Sequence, residues 1–161
     1  MDLTTRSQQA VTAAVRTAAD RGNPAVEPAH LAVALLDDAE GLTRPLVQAL
    51  GVDPMALRAA AQQLVDRLPS ASGSSVAAPQ PSRSFLTILS AAERAARDRS
   101  DEYVSTEHLL LALAEQPGEV ATLFGAQKVT AAALSDPLTS VRGSARVTSP
   151  DPEGTFQALE K

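Results

Sequence analysis

Along the first seventy residues, apolar positions recur at helical rather than strand spacing. Ala10, Val11, Ala14, Val15 and Ala18 fall three and four residues apart and mark one face of a helix. Thr5 with Gln8 three positions on is a capping-box pattern, and Gly22 is a stop, which predicts an entry helix of about four turns. A short link through Pro24 leads to Pro28, suited to a first helical position, and residues 30–36 are apolar nearly all round, as buried helices are. A third short helix is expected near residues 45–50, closed by Gly51. Asp53-Pro54 then caps and opens a fourth, running to about residue 68 before Pro69. The second half reads the same way: residues 85–99, residues 107–115 behind a Ser105 or Thr106 cap, a short turn of helix ending near Gly125, and residues 130–141. No segment sustains the alternation of a β-strand, so an all-α fold is expected.

The two halves resemble each other. Slid by 78 positions, residues 13–35 match residues 91–113 without a gap, with 11 identities in 23 positions. The matches include Arg16 with Arg94, Asp20 with Asp98, Arg21 with Arg99 and His30 with His108, which alanine-rich composition does not explain. This points to a tandem duplication, and hence to an eight-helix, pseudo-twofold architecture of two four-helix halves. Residues 1–143 form the domain: repeat one 1–68, a connector 69–83 and repeat two 84–143. The connector is rich in Pro, Ser and Gly and is expected to be mobile. Residues 144–161 are expected to be a flexible linker that buries nothing useful up to about residue 155, with a further helix beginning over 155–161.

Composition narrows the function classes. Apolar residues make up 44% of the chain but aromatic ones only 2%, so the core must be built from Ala, Leu and Val. The 14 basic and 19 acidic side chains leave a net charge of −5, and no stretch is a basic patch, which removes the driving force for nucleic-acid binding. Cysteine is absent, so thiolate chemistry and cysteine-ligated zinc are excluded. No apolar run approaches the roughly 20 residues that span a bilayer, and the first residues lack an export-signal pattern, so no membrane contact and a cytoplasmic location are expected. There is no GxxxxGK loop, no HExxH pair and no GxSxG elbow, and the chain is not expected to be an enzyme. The two histidines, at matched helix starts, read as structural. Asp101, Glu102 and Glu107 admit two readings: carboxylates favouring a helix N-terminus, or polar rim groups beside an apolar groove that orient a bound peptide. A stripe such as Leu86, Leu89 and Ala92 reads as core sooner than as a docking face.

Several stretches carry a resemblance: Leu3-Thr4, VEPAHLAVALL at 26–36, DEYVSTEHLLLAL at 101–113, and VRGSARVTSPDPE at 141–153 followed by ALEK. Together they resemble the N-terminal double Clp repeat of the AAA+ unfoldase chaperones, over essentially the whole chain, and are most similar to the disaggregase branch in its actinobacterial form. The resemblance implies a front domain that binds unfolded or aggregated client polypeptide through a hydrophobic groove and passes it to a hexamer pore. Its parent would be a homohexamer working with the DnaK chaperone system, with ATP and Mg held in modules downstream of residue 161, no cofactor in this chain, and an isolated domain that is monomeric. Carried over residue by residue, the resemblance places functional groups on Thr4, Asp101 and Glu107, and groove positions on Leu89, Ala91, Ala95 and His108. Alanine and histidine where other members hold leucine imply a shallower groove. A branch that reads phosphorylated arginine carries a Thr-Glu-His triplet in both copies. Here the second copy has Thr106-Glu107-His108 and the first has Pro28-Ala29-His30, which counts against that ligand. The alternative implied function is an adaptor- or degron-binding domain of a protease-coupled Clp unfoldase.

Overall fold

The computed structural model describes residues 1–71, 78–143 and 145–153. Eight helices lie among them: α1 (Thr5–Asp20), α2 (Pro28–Asp37), α3 (Thr43–Ala49), α4 (Pro54–Asp66), α5 (Arg83–Asp98), α6 (Thr106–Glu115), α7 (Glu119–Ala126) and α8 (Ala131–Arg142). The expected all-α, two-by-four plan is the observed one. Four of the helices start where a side chain accepts from the orphan amides of the first turn. Thr4 caps α1, its Oγ1 accepting from the Ser7 amide at 3.2 Å, so the cap lies one residue before the expected Thr5. Asp53 caps α4 through the Met55 amide, Ser82 caps α5 through Phe85, and Thr130 caps α8 through Ala133.

Four two-residue strands join the halves: β1 (Asp2–Leu3), β2 (Ala25–Val26), β3 (Gln80–Pro81) and β4 (Tyr103–Val104). β1 pairs in parallel with β4, and β2 with β3. The strand leading into each copy's first helix is thus fastened to the other copy. Displaced by 78, Leu3 opposite Val104 becomes Pro81 opposite Val26, so the two bridges are one contact made twice. Segments of two residues are too short to show alternation, which is why periodicity did not reveal them.

The all-round apolar helices α2 and α6 lie at the centre. α2 packs on α1 and α4, α6 packs on α5, α7 and α8, and the two touch across the pseudo-axis. Leu31, Leu35, Leu36, Leu109, Leu110 and Leu113 are fully buried, joined by Leu46, Leu134, Leu138 and the aromatic Phe124. Each such side chain contributes about 1.5–3 kcal/mol of transfer free energy. Among the described residues, no helix is long and apolar enough to cross a membrane.

Two segments between and after the copies are fastened where free linkers were expected. Of the connector, residues 72–77 lie outside the described residues. Its ends are tied to the turn between α1 and α2: the Asn23 side-chain amide donates to the Pro69 carbonyl at 2.9 Å, and the Ala71 amide to the Gly22 carbonyl at 2.9 Å. After α8, residues 145–153 lie back against the second copy, with Val147 and Glu153 both 0% exposed. The expectation that this stretch buries nothing is therefore corrected. Its composition is polar, but its carbonyls and one carboxylate meet donors that the domain presents. The helix expected over residues 155–161 lies outside the described residues.

Candidate functional site

The residues singled out from sequence separate into two places. Thr4, Asp101, Glu107 and His108 meet in a buried polar cluster where α6 begins, whereas Ala91 and Ala95 line an open cleft beside α8.

The cluster is built on the turn between α5 and α6. His108 is the third residue of α6, and its Nδ1 accepts from the Ser105 backbone amide at 2.9 Å, closing the helix start as a capping carboxamide would. That bond leaves the proton on Nε2, which donates to Asp101 Oδ2 at 2.8 Å. Burial holds the imidazole neutral, lowering its pKa to about 4 despite the neighbouring carboxylate. Asp101 also receives the Arg142 guanidinium as a fork, at 2.9 Å and 2.6 Å, and the Val147 amide at 2.8 Å. Burial alone would raise the Asp101 carboxyl, but the hydrogen bonds from Arg142 and Val147 outweigh it and hold the pKa below its ordinary value. Beside it, Glu107 is fully buried, with Arg142 Nη1 3.5 Å from Oε1. Burial pushes its carboxyl up to about 7, opposed by the Ser105 hydroxyl and by Arg142, with the Glu153 carboxylate adding to the push. Glu153 Oε2 accepts from the Thr4 hydroxyl at 2.7 Å and the Thr106 amide at 3.2 Å, and burial raises its pKa too.

The rim reading of Asp101 and Glu107 is thus corrected: at 4% and 1% exposure they lie inside the domain. Thr4 and His108 are 0% exposed and equally closed to a client in this conformation. Arg142 and Glu153, which hold the cluster together, were missed. Glu153 stands in a polar, proline-rich stretch that gives no packing signal. The first copy supplies the comparison: His30 accepts from the Glu27 amide and bonds Asn23 Oδ1 at 2.9 Å, so position 23 answers to position 101.

The cleft has a volume of about 580 Å³ and lies between α5 and α8, with the end of α6 as its floor. Ala91, Ala95, Leu111, Ala131 and Ala132 give it an apolar lining, and Arg94, Asp98, Arg99 and Glu115 stand at its rim. Four of these five apolar lining residues are alanines. Leu89 is half-buried against the core and does not line it, and His108 lies beneath the surface. A second cleft of about 390 Å³ opens where α2, α5 and α7 converge, over Ile88, Leu113 and Val120, with Glu27, Arg83 and Glu119 at its edge. Among the described residues, no group of three or more metal-ligating side chains converges.

With this geometry in place, comparison with known proteins is informative. Residues 2–127 match the family model of the Clp repeat (R) N-terminal domain. The chaperone protein ClpB of Mycobacterium tuberculosis is 48% identical over 158 residues, 98% of this chain, and ClpB of Corynebacterium efficiens is 48% identical over the same span. The chain spans only 18% of the length of these relatives. Among solved structures, the Hsp104 N-terminal domain from Candida albicans superposes with a TM-score of 0.83 at 20% identity, covering 95% of this chain and 99% of that one. The N-terminal domain of the ClpV1 ATPase from E. coli gives 0.72 at 24% identity, covering 86% and 85%. Both likenesses concern the fold.

Proposed function

The chain belongs to the Clp repeat N-terminal domain family, and from that premise we propose that it is the client-handling front domain of a Clp-type chaperone ATPase of the disaggregase kind. Unfolded or aggregated polypeptide binds at the cleft between α5 and α8, and the domain hands it to the pore of an ATP-driven homohexamer assisted by the DnaK system. ATP and Mg belong to modules beyond this chain, which needs no cofactor of its own. The single observation that carries this reading is the shape and lining of that cleft: open, apolar at its base, rimmed by both signs of charge. Such a surface discriminates little between sequences, which suits a protein that must accept many clients.

The same alanine lining sets the strength. An apolar client side chain fully buried in a groove gains about 1.5–3 kcal/mol, and alanine walls desolvate it only in part. A single domain therefore holds a client loosely. Several domains tethered around one ring raise the local concentration of sites, so capture does not require tight contacts and release remains fast.

Titrating the ¹⁵N-labelled chain with a permanently unfolded protein tests this. Amide shifts should gather on Ala91, Ala95, Leu111 and Ala132, and Ala95→Glu with Ala132→Glu should weaken binding at least fivefold while leaving the circular dichroism spectrum unchanged. Shifts gathering elsewhere, with full affinity in the double variant, would reject the cleft as the client site.

A further inference from the structure

We propose that the turn between α5 and α6 is a docking site for the chain's own exit segment, residues 145–153, and that Thr4, Asp101 and Arg142 position that segment rather than touch a client. The observation is an unbroken series of bonds. Arg142 Nη2 donates to the Ala145 carbonyl at 2.9 Å, the Val147 amide donates to Asp101 Oδ1 at 2.8 Å, and the Glu102 amide donates to the Val147 carbonyl at 2.7 Å. The Thr5 amide then donates to the Pro150 carbonyl at 2.8 Å, and Glu153 is received by the Thr4 hydroxyl and the Thr106 amide. Thr5 and Thr106 are the first residues of α1 and α6, so the segment supplies acceptors to amides that their helices leave orphaned. An acidic side chain at the N-terminus of α6 is also favoured by the helix dipole. Val147 and Glu153, two residues the segment buries completely, fall at the two ends of the grip.

The first copy makes the same contact in a simpler form. Asn23 donates to the carbonyl of Pro69, and residues 23 and 69 stand 78 positions before 101 and 147. In each copy, then, one side chain in the turn after the first helix holds the chain just after the fourth.

The clasp has a consequence for reach. With the segment docked, a tether to whatever follows can start no earlier than residue 154. With it released, the tether starts after Gly143 and gains ten residues, or roughly 33 Å of extended chain. Docking and release thus switch the domain between a short and a long leash. Because Thr4 and Asp101 hold the leash, changes there act on delivery through the tether and not through the cleft.

Amide hydrogen exchange on the full chain tests the clasp independently of any client. Glu153→Ala should speed exchange at Thr5, Glu102, Thr106 and Val147 at least tenfold and leave the amides of Leu31 and Leu35 within α2 unchanged. Glu153→Gln, whose side-chain carbonyl still accepts both bonds, should have a smaller effect. Thr4→Ala should show the same exchange signature with unaltered affinity for the unfolded protein, and Thr4→Ser should restore protection. Unchanged exchange at those four amides in Glu153→Ala would overturn the clasp. Loss of client affinity in Thr4→Ala with exchange intact would overturn the positioning role and return Thr4 to the client site. Failure of the cleft variants to weaken binding would bear on the proposed function alone.

Discussion

Replacing Glu107 with glutamine should change how the stability of the domain responds to pH. Glu107 is buried and has a carboxyl pKa of about 7 in the fold against an ordinary 4.5. Between those two values the native chain holds a proton that the unfolded chain has released, so unfolding free energy falls as pH rises. The slope is about 1.4 kcal/mol per pH unit, or about 3 kcal/mol across the window. His108 works in the opposite sense. Its pKa is lowered to about 4 from 6.5, so between those values the unfolded chain carries a proton that the native one lacks, and stability rises with pH. In the unaltered chain the two slopes oppose each other from pH 4.5 to 6.5. Glutamine has the size of the protonated acid and does not titrate, so it removes one slope and leaves the other. Arg142 and Glu153 face the same position and are present in both proteins, so their direct contributions drop out of the difference. Urea unfolding followed by far-UV circular dichroism, at half-unit steps from pH 4 to 8, should show the stability of Glu107→Gln minus that of the unaltered chain climbing by about 3 kcal/mol between pH 4.5 and 7. A difference that stays level across this range would refute the account of a buried, protonated carboxyl.

Two further perturbations follow from the packing. Asp101→Asn leaves the buried Arg142 guanidinium facing a neutral group, and breaking such a pair from one side costs about 3–5 kcal/mol, measurable as a lower urea midpoint with an unchanged slope. Gly22→Ala places a Cβ 2.1 Å from the Ala71 carbonyl oxygen at a φ of +69°, so it should lower the melting temperature and speed exchange at the Ala71 amide, whereas Gly51→Ala, with positive φ but open space, should pay only the backbone strain.

The helices were legible because their signals are local: caps at Asp53 and at Ser105 or Thr106, apolar periodicity in α1 and all-round apolarity in α2, carried to the second half by the repeat. The duplication added the symmetry, since matched Arg, Asp and His positions imply matched surroundings. The parallel bridges and the docked exit segment were not legible, because each depends on backbone groups of residues far apart along the chain, which leave no pattern within a window of sequence. The site residues were half legible. Resemblance picked out Thr4, Asp101, Glu107 and His108 together, and they do stand together, but a carboxylate in sequence does not say whether it faces water or an arginine. Arg142 decided that, and nothing around it marks it as a core residue.

The contrast between the copies explains why charge gathered in only one of them. At the three positions where the second copy carries Asp101, Glu107 and Arg142, the first carries Asn23, Ala29 and Leu64, and its grip on the chain is a neutral chain of bonds through His30, Asn23 and Pro69. That suffices there, because the chain leaving the first copy goes on to form β3, which is fastened to β2 and leads into α5. Among the described residues between the end of α8 and residue 151, the chain leaving the second copy forms no strand or helix. Its hold must come from the grip itself, and charge-assisted, bidentate bonds are roughly twice as strong as neutral ones. The buried charge has a desolvation cost that two well-packed apolar residues would avoid. It is offset only while the exit segment is in place to complete the coordination of Asp101, so the stability of the second copy and the docking of its tail are bound to rise and fall together.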